Sequence, residues 1–254
     1  MDTTGNDKNQ IICGKNAVKE AIKSGRDIEY IIVSNSNHSS GMLPIIKKAK
    51  ENKILIKEAD ARKLDRLSEG IAHQGILAVA SSACYVQVQD IIKAAEDKGE
   101  LPFIVIAEKI EDPHNLGAII RTAECAGAHG VIIPKRRSVG LTAAVGKTSA
   151  GALEYMPVAR VTNIVSVIDD LKKQGIFVYG ADMDGENWCE TNLKGAVALV
   201  IGSEGFGLSR LVREKCDAII SLPLCGNINS LNASVAAGIL MYEITRQRLG
   251  IDAK

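Results

Sequence analysis

The chain has 254 residues, enough for one large domain or two ordinary ones, and its 46% of hydrophobic residues is typical of a globular protein with a sizeable core. Lysine and arginine number 31 against 30 acidic residues, and a net charge of +1 excludes a global field that would hold a nucleic acid, so any such binding must use local patches. Aromatic residues make up 4% of the chain, which argues against a platform that stacks on single strands.

The first part of the chain alternates short helices with short strands, which indicates a small α/β domain over residues 11–83. The preceding residues, 1–10, are polar and predict a disordered tail. The stretch 84–101 is more polar and contains one helix, so we expect it to be a linker. The elements expected in this part are helices at 14–25, 43–52, 61–68 and 88–97 and strands at 28–33, 54–56 and 76–80.

Residues 102–254 contain a second α/β series, which begins with a continuous apolar strand of the kind found in parallel sheets covered on both faces. The expected strands are 103–107, 131–134, 158–161, 176–181, 196–201 and 218–224, and the expected helices are 115–126, 142–153, 164–174, 208–216 and 231–248. We therefore predict an α/β fold whose larger domain is a sheet of five to six largely parallel strands with helices on both faces.

The last predicted helix belongs to a run, residues 221–242, that has no charged side chain. A surface helix normally carries charge on its outer face, so we expect the first turns to be buried on all sides and the helix to re-emerge where charge returns at Glu243. The polar loop before this helix offers free backbone N–H groups and hydroxyls, which suit a ligand cradle. A core helix with a polar N-terminal cap is the alternative interpretation.

Three strand-to-helix loops carry polar residues where a parallel sheet holds its ligands, outside the carboxyl ends of the strands. In the first loop we expect Asn115 at the N-cap of a helix, with Arg121 six residues further on among apolar neighbours. An arginine in such surroundings needs an acidic partner or an anionic ligand, and a structural ion pair is the alternative to a functional role.

The second loop contains Gly202, Gly205 and Gly207, which permit close approach of the backbone to a ligand. Their spacing matches neither the dinucleotide-binding fingerprint nor a P-loop, and Glu204 between them is as consistent with a helix cap as with chemistry. The third loop leads from the strand 218–224 into the last helix.

In their order and spacing, the three loops resemble the motifs of the SpoU/TrmH class of SPOUT methyltransferases, which methylate ribose 2′-hydroxyls of RNA. The matching segments are Asn115-Leu116-Gly117 with Arg121, Ile201-Gly202-Ser203-Glu204-Gly205 with Gly207, and Leu222-Pro223 with Ser230-Leu231-Asn232-Ala233-Ser234. Residues 13–18 and His73-Gln74-Gly75 resemble the N-terminal substrate-binding domain of the same family. The resemblance covers the whole chain and is greatest for members that methylate a guanosine in the P loop of 23S rRNA, although the low net charge fits an rRNA substrate poorly.

The resemblance implies that residues 102–254 form a SPOUT methyltransferase domain with a deep trefoil knot, which binds S-adenosylmethionine as methyl donor without a metal and acts as a homodimer. Seven residues are implied in binding the methyl donor: Gly202, Ser203, Gly207, Leu222, Leu224, Ser230 and Leu231. Five are implied in catalysis: Asn115, Arg121, Glu204, Ser230 and Asn232. Because guanidinium hardly deprotonates, we expect Arg121 to stabilise developing charge rather than act as a base, and Glu204 to orient Arg121 or Asn115.

The candidate RNA contacts are Lys15, Lys135, Arg136, Arg137 and Lys147, although such basic residues form solvated faces about as often. Four alternatives remain open. Within the family, the activity can be ribose methylation of tRNA or rRNA methylation of the kind that confers antibiotic resistance. The protein can also be a non-catalytic RNA-binding protein of the same fold. It can also be a nucleotide-dependent oxidoreductase, although no G-x-G-x-x-G follows the first strand of the larger domain.

The six cysteines include no C-x-x-C pair and the four histidines lack metal-ligand spacing, so we expect reduced thiols and no metal site. The first ten residues contain no apolar segment of a secretory signal, and no apolar run reaches the roughly 18 residues that span a bilayer. The sequence therefore predicts a cytoplasmic protein without a membrane segment.

Overall fold

The computed structural model describes residues 11–35, 41–228 and 230–251, so the tail predicted at residues 1–10 lies outside the described residues. The chain divides into two compact units. Unit 1 runs to Cys84 and includes Gly140–Ala143, and unit 2 comprises Tyr85–Val139 and the residues from Ala144 onward.

Unit 1 is a four-stranded mixed sheet with helices on both faces. Its elements are β1 (Ile11–Cys13), α1 (Lys15–Lys23), β2 (Ile28–Ser34), α2 (Leu43–Glu51), β3 (Leu55–Ala59), α3 (Ala61–Ser68) and β4 (Ile76–Ala80). In the order β1-β4-β2-β3, β4 pairs antiparallel with both of its neighbours and β3 pairs parallel with β2. Val18 of α1 and Ile45 of α2 are buried in the core on one face, and Leu64 of α3 is buried on the other.

Unit 2 is a six-stranded sheet in which every pairing is parallel. Its elements are α4 (Val88–Asp97), β5 (Phe103–Ala107), α5 (Pro113–Cys125), β6 (Gly130–Pro134), α6 (Ala143–Thr148), a 3₁₀ turn (Ala152–Glu154), β7 (Val158–Val161), α7 (Ile164–Lys173), β8 (Phe177–Asn187), β9 (Val197–Ile201), α8 (Arg210–Lys215), β10 (Ala218–Ser221) and α9 (Ala233–Arg248). The strand order is β10-β8-β9-β5-β6-β7, which confirms the predicted α/β class and the parallel sheet.

The two central strands of unit 2, β5 and β9, are buried along their whole length, as their continuous apolar sequences predict. Phe103 pairs with Val197 and Ala107 with Ile201, so both strands end at the same edge of the sheet. This register brings together the two loops that follow them. Helix α4, which lies in the stretch predicted to be a linker, packs into the core of this unit through Ile91 and Ile92.

The helix predicted at 142–153 is wrong as a continuous element. Helix α6 ends at Thr148, and a 3₁₀ turn follows after Ala150 and Gly151, whose φ angles are 50° and 90°. These left-handed conformations cannot continue a right-handed helix. The hydroxyl of Thr148 donates to Pro113 O at 3.1 Å, which ties the end of α6 to the start of α5.

Four strands differ clearly from the prediction. Strand β3 covers Leu55–Ala59 instead of residues 54–56. The short strand β1 was not predicted, and β8 continues through Asp182 to Asn187 instead of ending at residue 181. The predicted strand 218–224 ends at Ser221, where β10 pairs with β8 through an irregularity between Ile219 and Ile220. Residues 222–224 consequently belong to the loop before α9.

The prediction that the first turns of the last helix are buried on all sides is wrong. Val235, Ile239 and Tyr242 follow one another along one face of α9, and they are 50%, 38% and 52% exposed. Glu243, where the helix was expected to re-emerge, is instead buried, and its carboxylate accepts from Arg246 Nε at 2.7 Å. The uncharged side of α9 is thus an exposed apolar stripe.

None of the helices in the described residues has the length and hydrophobicity needed to cross a membrane. The trefoil knot implied by the resemblance stays a prediction.

Candidate functional site

A cavity of about 260 Å³ lies at the carboxyl edge of the unit 2 sheet, among residues 181–183 within β8, the segments that follow β9 and β10, and helix α9. Its floor is apolar and includes Ile201, Ile220 and Leu240. All seven residues predicted to bind a methyl donor line it: Gly202, Ser203, Gly207, Leu222, Leu224, Ser230 and Leu231. The position of this cavity agrees with the general rule that ligands of open parallel sheets bind outside the carboxyl ends of strands.

The glycines after β9 shape one wall of this cavity. Gly207 N–H donates to Ser203 O at 3.0 Å, which closes a tight loop. A Cβ at Gly202 would lie 2.3 Å from the backbone carbonyl of Gly207, so no other residue fits there without opening the loop. Gly205 and Gly207 have φ angles of 76° and 59°, in the left-handed region that favours glycine.

Glu204, at the tip of this loop, lies at the centre of a hydrogen-bonded cluster. Its Oε1 accepts from Asn115 Nδ2 at 3.0 Å, from Asn232 Nδ2, and from the backbone N–H of Ala233 at 3.3 Å. Asn232 Nδ2 also donates to Asn115 Oδ1 at 2.8 Å. Residues from three segments that are distant in sequence therefore meet at one carboxylate, and hydrogen bonds to a charged acceptor are relatively strong.

The predicted N-cap role of Asn115 is wrong. Helix α5 begins two residues earlier, at Pro113, and Asp112 is its cap, accepting from His114 N at 2.9 Å. Proline is common at the first position of a helix, where it has no hydrogen bond to lose. Asn115 lies in the first turn, is buried, and is free to bond Glu204.

Asn232 has a second role as the N-cap of α9. Its Oδ1 accepts from the backbone N–H groups of Ser234 at 3.0 Å and Val235 at 3.2 Å, and from the Ser234 hydroxyl at 2.6 Å. The amide therefore uses its oxygen for the helix and its nitrogen for Glu204 and Asn115. The stability of α9 and the geometry of the cluster around Glu204 therefore both depend on the side chain of Asn232.

Glu108, a buried residue directly after β5, holds the loop between β9 and α8 in place. Glu108 accepts from the backbone N–H of Ser209 at 3.0 Å and from its hydroxyl at 2.5 Å. Its own N–H donates to Ile201 O at 2.8 Å. A buried charge must be compensated, and these bonds do so while they hold the glycine loop in place.

A second cleft, of about 510 Å³, shares Ser203, Glu204 and Phe206 with the cavity. Its other side carries Lys109 and Arg137, from the loops after β5 and β6. Both residues have left-handed backbones, with φ angles of 55° and 56°. Non-glycine residues in this region are strained, and such strain is concentrated at functional sites.

Arg121 does not join the polar cluster of its own chain. It is exposed on α5, and the structure gives it no hydrogen bond or ion pair among the described residues. Arg121 is six positions after Asn115 in the helix. The two residues are therefore about 9 Å apart along the helix axis and about 120° apart around it. Of the two partners predicted for Glu204, Asn115 is therefore bound and Arg121 is not.

The five basic residues predicted to contact RNA are divided between the two units, with Lys15 in unit 1 and the other four in unit 2. Arg137 lines the second cleft, whereas Lys135, Arg136 and Lys147 line neither the cleft nor the cavity. Lys15 belongs to unit 1, where its backbone N–H donates to Gln74 Oε1 at 3.2 Å.

Three residues of the site were not identified from the sequence: Lys109, Asp182 and Phe206. Asp182 and the exposed Phe206 line the cavity, and Lys109 lines the cleft. Asp182 follows the predicted end of a parallel strand, so the rule used for the other loops also applied to it. Among the described residues, no group of histidine, cysteine and acidic side chains could hold a metal ion.

Comparison with known protein families gives two matches. Residues 102–242 match the SpoU rRNA Methylase family, and residues 11–86 match the substrate-binding domain of RNA 2′-O ribose methyltransferases.

Individual proteins match over almost the whole chain. YacO of Bacillus subtilis (strain 168), assigned by its name to the TrmH family of tRNA/rRNA methyltransferases, is 47% identical over 238 residues, which are 93% of this chain and 95% of YacO. A relative from Staphylococcus haemolyticus (strain JCSC1435) with the same family name is 45% identical over 239 residues, 94% of this chain and 96% of its own. The crystal structure of the SpoU methyltransferase AviRb from Streptomyces viridochromogenes with AdoMet superposes with a TM-score of 0.60 at 22% identity, over 98% of this chain and 95% of AviRb, and so matches in fold.

Proposed function

The chain belongs to the SpoU rRNA methylase family of RNA methyltransferases, and from this we propose that it transfers a methyl group from S-adenosylmethionine to a ribose 2′-hydroxyl of RNA. The observation that supports this most is the cluster of Glu204, Asn115 and Asn232 beside an apolar cavity. In this proposal residues 11–83 bind the RNA substrate and residues 102–254 carry out the transfer. Residues 84–101 link these two parts of the chain.

The chemistry of the cavity fits S-adenosylmethionine. Its apolar side chains suit the adenine ring, and its glycine loop exposes backbone groups that can bond the adenine edge and the ribose. The charged side chains that line it are the carboxylates of Asp182 and Glu204, which are complementary to a cationic sulfonium. S-adenosylmethionine supplies an already activated methyl group, so the reaction needs no metal.

The chain's own residues then have to position and stabilise the ribose. We expect Glu204 to keep Asn115 and Asn232 in fixed orientations, since its Oε1 accepts from both amides. Ser230, at the rim of the cavity, has an exposed hydroxyl that can bond the ribose or the methyl donor. Preorganised polar groups of this kind cost no rearrangement during the reaction.

We assign Arg121 to the active site of a second copy of the chain. Its guanidinium is suited to stabilise negative charge on the 2′-oxygen or the adjacent phosphate, but it lies about two helical turns from Asn115 in its own chain. Helix α5 packs on α9, where Thr245 Oγ1 donates to Ala126 O at 2.7 Å. Arg121 therefore belongs to the helix pair that carries the exposed stripe of Val235, Ile239 and Tyr242, a surface suited to a homodimer.

The RNA is proposed to enter through the second cleft. Lys109 and Arg137 supply two positive charges that can bind a nucleotide phosphate, and three acidic residues also line the cleft: Glu111, Asp112 and Glu204. Binding of the phosphate in this proposal depends on direct contact with these two cations and not on a net positive charge of the cleft or of the chain.

We propose a guanosine of 23S rRNA as the substrate and tRNA as the second candidate, since curated relatives are named for both kinds of RNA. The experiment is incubation of unmodified large-subunit rRNA and unmodified tRNA with labelled methyl donor, followed by mapping of the 2′-O-methyl position. We expect one labelled guanosine in 23S rRNA. Label in tRNA alone would favour the second candidate.

A non-catalytic RNA-binding protein of the same fold is the remaining alternative. It predicts RNA binding without calorimetric binding of S-adenosylmethionine, and such a result would contradict the proposed transfer. The intact set Asn115, Glu204, Ser230 and Asn232 favours the enzyme.

A further inference from the structure

The charged side chains that line the cavity among the described residues are all negative. Among the described residues that line it, the charged side chains are Asp182 and Glu204, and no lysine, arginine or histidine is present. The remaining lining consists of apolar residues, glycines and two serines. Any ligand bound there experiences negative potential that no lining cation offsets.

Asp182 is held rigidly at the end of the regular part of β8. Its Oδ2 accepts from Arg213 Nη1 at 2.7 Å and its Oδ1 accepts from Met183 N at 2.8 Å. The side chain is 14% exposed, so solvent screens its charge less than that of a surface aspartate. A Cβ at Gly207 would lie 3.1 Å from Oδ1, so Asp182 lies directly against the glycine loop.

The two carboxylates differ in how many donors they already serve. Oε1 of Glu204 accepts from Asn115, Asn232 and Ala233. Asp182 accepts two bonds, and an ionised carboxylate has about four acceptor positions, so it retains capacity for a ligand. Arg213 binds both Asp182 and, at 2.8 Å, Asp184, but neither Arg213 nor Asp184 lines the cavity, so Asp182 is the charge of this group that lies nearest to a ligand there.

We propose that Asp182 makes this cavity selective for the cationic methyl donor over its neutral product. The inference rests on the proposed function. Methyl transfer breaks a carbon–sulfur bond whose electron pair stays on sulfur, forms a carbon–oxygen bond at the ribose, and releases the hydroxyl proton to water. S-adenosylhomocysteine thus carries one positive charge less than S-adenosylmethionine. The attraction to Asp182 is lost at the moment of transfer, and this favours exchange of product for fresh donor.

The test is isothermal calorimetry of the full-length protein with S-adenosylmethionine and with S-adenosylhomocysteine, without RNA. In Asp182→Asn we expect the preference for the donor to fall by at least about tenfold relative to wild type, because the attraction of one unit charge several ångströms away, at an effective dielectric constant of about 20, exceeds the free energy that a tenfold change represents. S-adenosylhomocysteine should bind almost as in wild type, which also reports that the cavity has kept its shape.

The matched control is Asp184→Asn. Asp184 binds the same nitrogen of Arg213 but is 77% exposed and does not line the cavity. Because solvent screens an exposed charge, this variant should change the preference by less than about twofold. An analogue that carries a protonated amine in place of the sulfonium should behave like the donor in all three proteins.

The outcomes separate this inference from the proposed function. A wild-type protein that binds neither compound contradicts both. A wild-type protein that binds the donor, together with an unchanged preference in Asp182→Asn, contradicts the inference alone. An equal loss of preference in both variants also overturns it, because a distant charge would then act as strongly as one in the wall.

Discussion

The side-chain amide of Asn232 has two roles. Its oxygen caps α9, and its nitrogen donates hydrogen bonds to Glu204 and Asn115. A serine at this position keeps an acceptor for the cap but has no amide nitrogen, whereas alanine has neither. Substitution can therefore separate the loss of the helix cap from the loss of the hydrogen bonds to Glu204 and Asn115.

We predict that Asn232→Ala lowers the free energy of unfolding by about 1 kcal/mol and that Asn232→Ser lowers it much less. Both variants should lose turnover by about 10²-fold, the scale for removal of one positioned polar group. Urea titration and single-turnover methylation measure the two effects.

The control is Asn163→Ala, which removes the N-cap of α7 far from the polar cluster. It should lower stability as Asn232→Ala does and leave turnover unchanged. Normal turnover in Asn232→Ser would show that the amide nitrogen has no part in the reaction.

His129 makes the stability of unit 2 dependent on pH. Phe103 N–H donates to its Nδ1 at 3.0 Å, so Nε2 carries the proton and donates to Glu100 Oε2 at 3.0 Å. Burial lowers the pKa of His129, and the hydrogen bond and charge of Glu100 only partly oppose this. The unfolded chain therefore binds a proton more readily than the folded one.

Stability from this group is complete above the unfolded pKa of about 6.5 and is lost as the pH falls from there toward the lower folded pKa. We predict that urea midpoints fall between pH 7.5 and pH 5.5 and that His129→Asn, which keeps an acceptor near Phe103 N–H, shows a smaller fall. The same substitution at the exposed His114 should keep the wild-type slope. If the urea midpoint depended on pH equally in all three proteins, His129 would be excluded as the origin of the pH dependence.

At the scale of elements, the glycine loop after β9 determines whether the cavity exists. A Cβ at Gly202 would lie 2.3 Å from the Gly207 carbonyl and 2.7 Å from Leu208 N, and these backbone atoms cannot move aside as a flexible side chain could. We predict that Gly202→Ala abolishes calorimetric binding of S-adenosylmethionine and lowers the thermal midpoint by several degrees, about 2–4 °C for each kcal/mol lost in a chain of this size.

Gly195→Ala is the matched control, because a Cβ there meets no atom within 4 Å. It should change neither binding nor the midpoint. Donor affinity that survived in Gly202→Ala would mean that the loop is not part of the binding site.

The elements that the sequence predicts well are those with a strong local pattern. The apolar runs of β5 and β9 and the periodic apolar residues of α7 indicate both type and position. Helix α6 is shorter than the predicted helix 142–153, because alanine, glycine and serine occur in helices and turns alike and provide no periodic signal. The polar end of β8 resembles a turn and is a strand only because β10 pairs with it.

The site was predictable where strand ends and motifs coincide. Asn115, Glu204 and Asn232 meet because the loops that carry them are near the same edge of a parallel sheet. Asp182 has no motif, and its role depends on a cavity wall that only the packed structure defines. The inward orientation of Asn115 depends on the start of α5 at Pro113, and the preference of proline for the first position of a helix indicates this start in the sequence itself.

At the scale of the whole molecule, the proposed homodimer makes a prediction about mixed subunits. We expect Arg121→Ala and Glu204→Ala each to lower turnover about 10²-fold. If Arg121 serves the partner's site, equal mixing after subunit exchange should restore roughly a quarter of wild-type activity, because half of the dimers are mixed and each has one intact site.

Mixing without unfolding and reassociation is the control, since undissociated dimers stay inactive. No recovery in mixtures that sedimentation shows to contain dimers would mean that both residues act within one chain. Sedimentation of a single 27 kDa species would contradict the dimer itself.

The strand order of unit 2 also determines how it can form during synthesis. Strands β5, β6 and β7 emerge from the ribosome in sequence and are neighbours in the sheet, but the other edge of β5 pairs with β9, which is made much later. Until then an apolar strand has an open edge, a condition that favours aggregation and slow folding. Nascent chains halted before Val197 should therefore depend on chaperones for solubility.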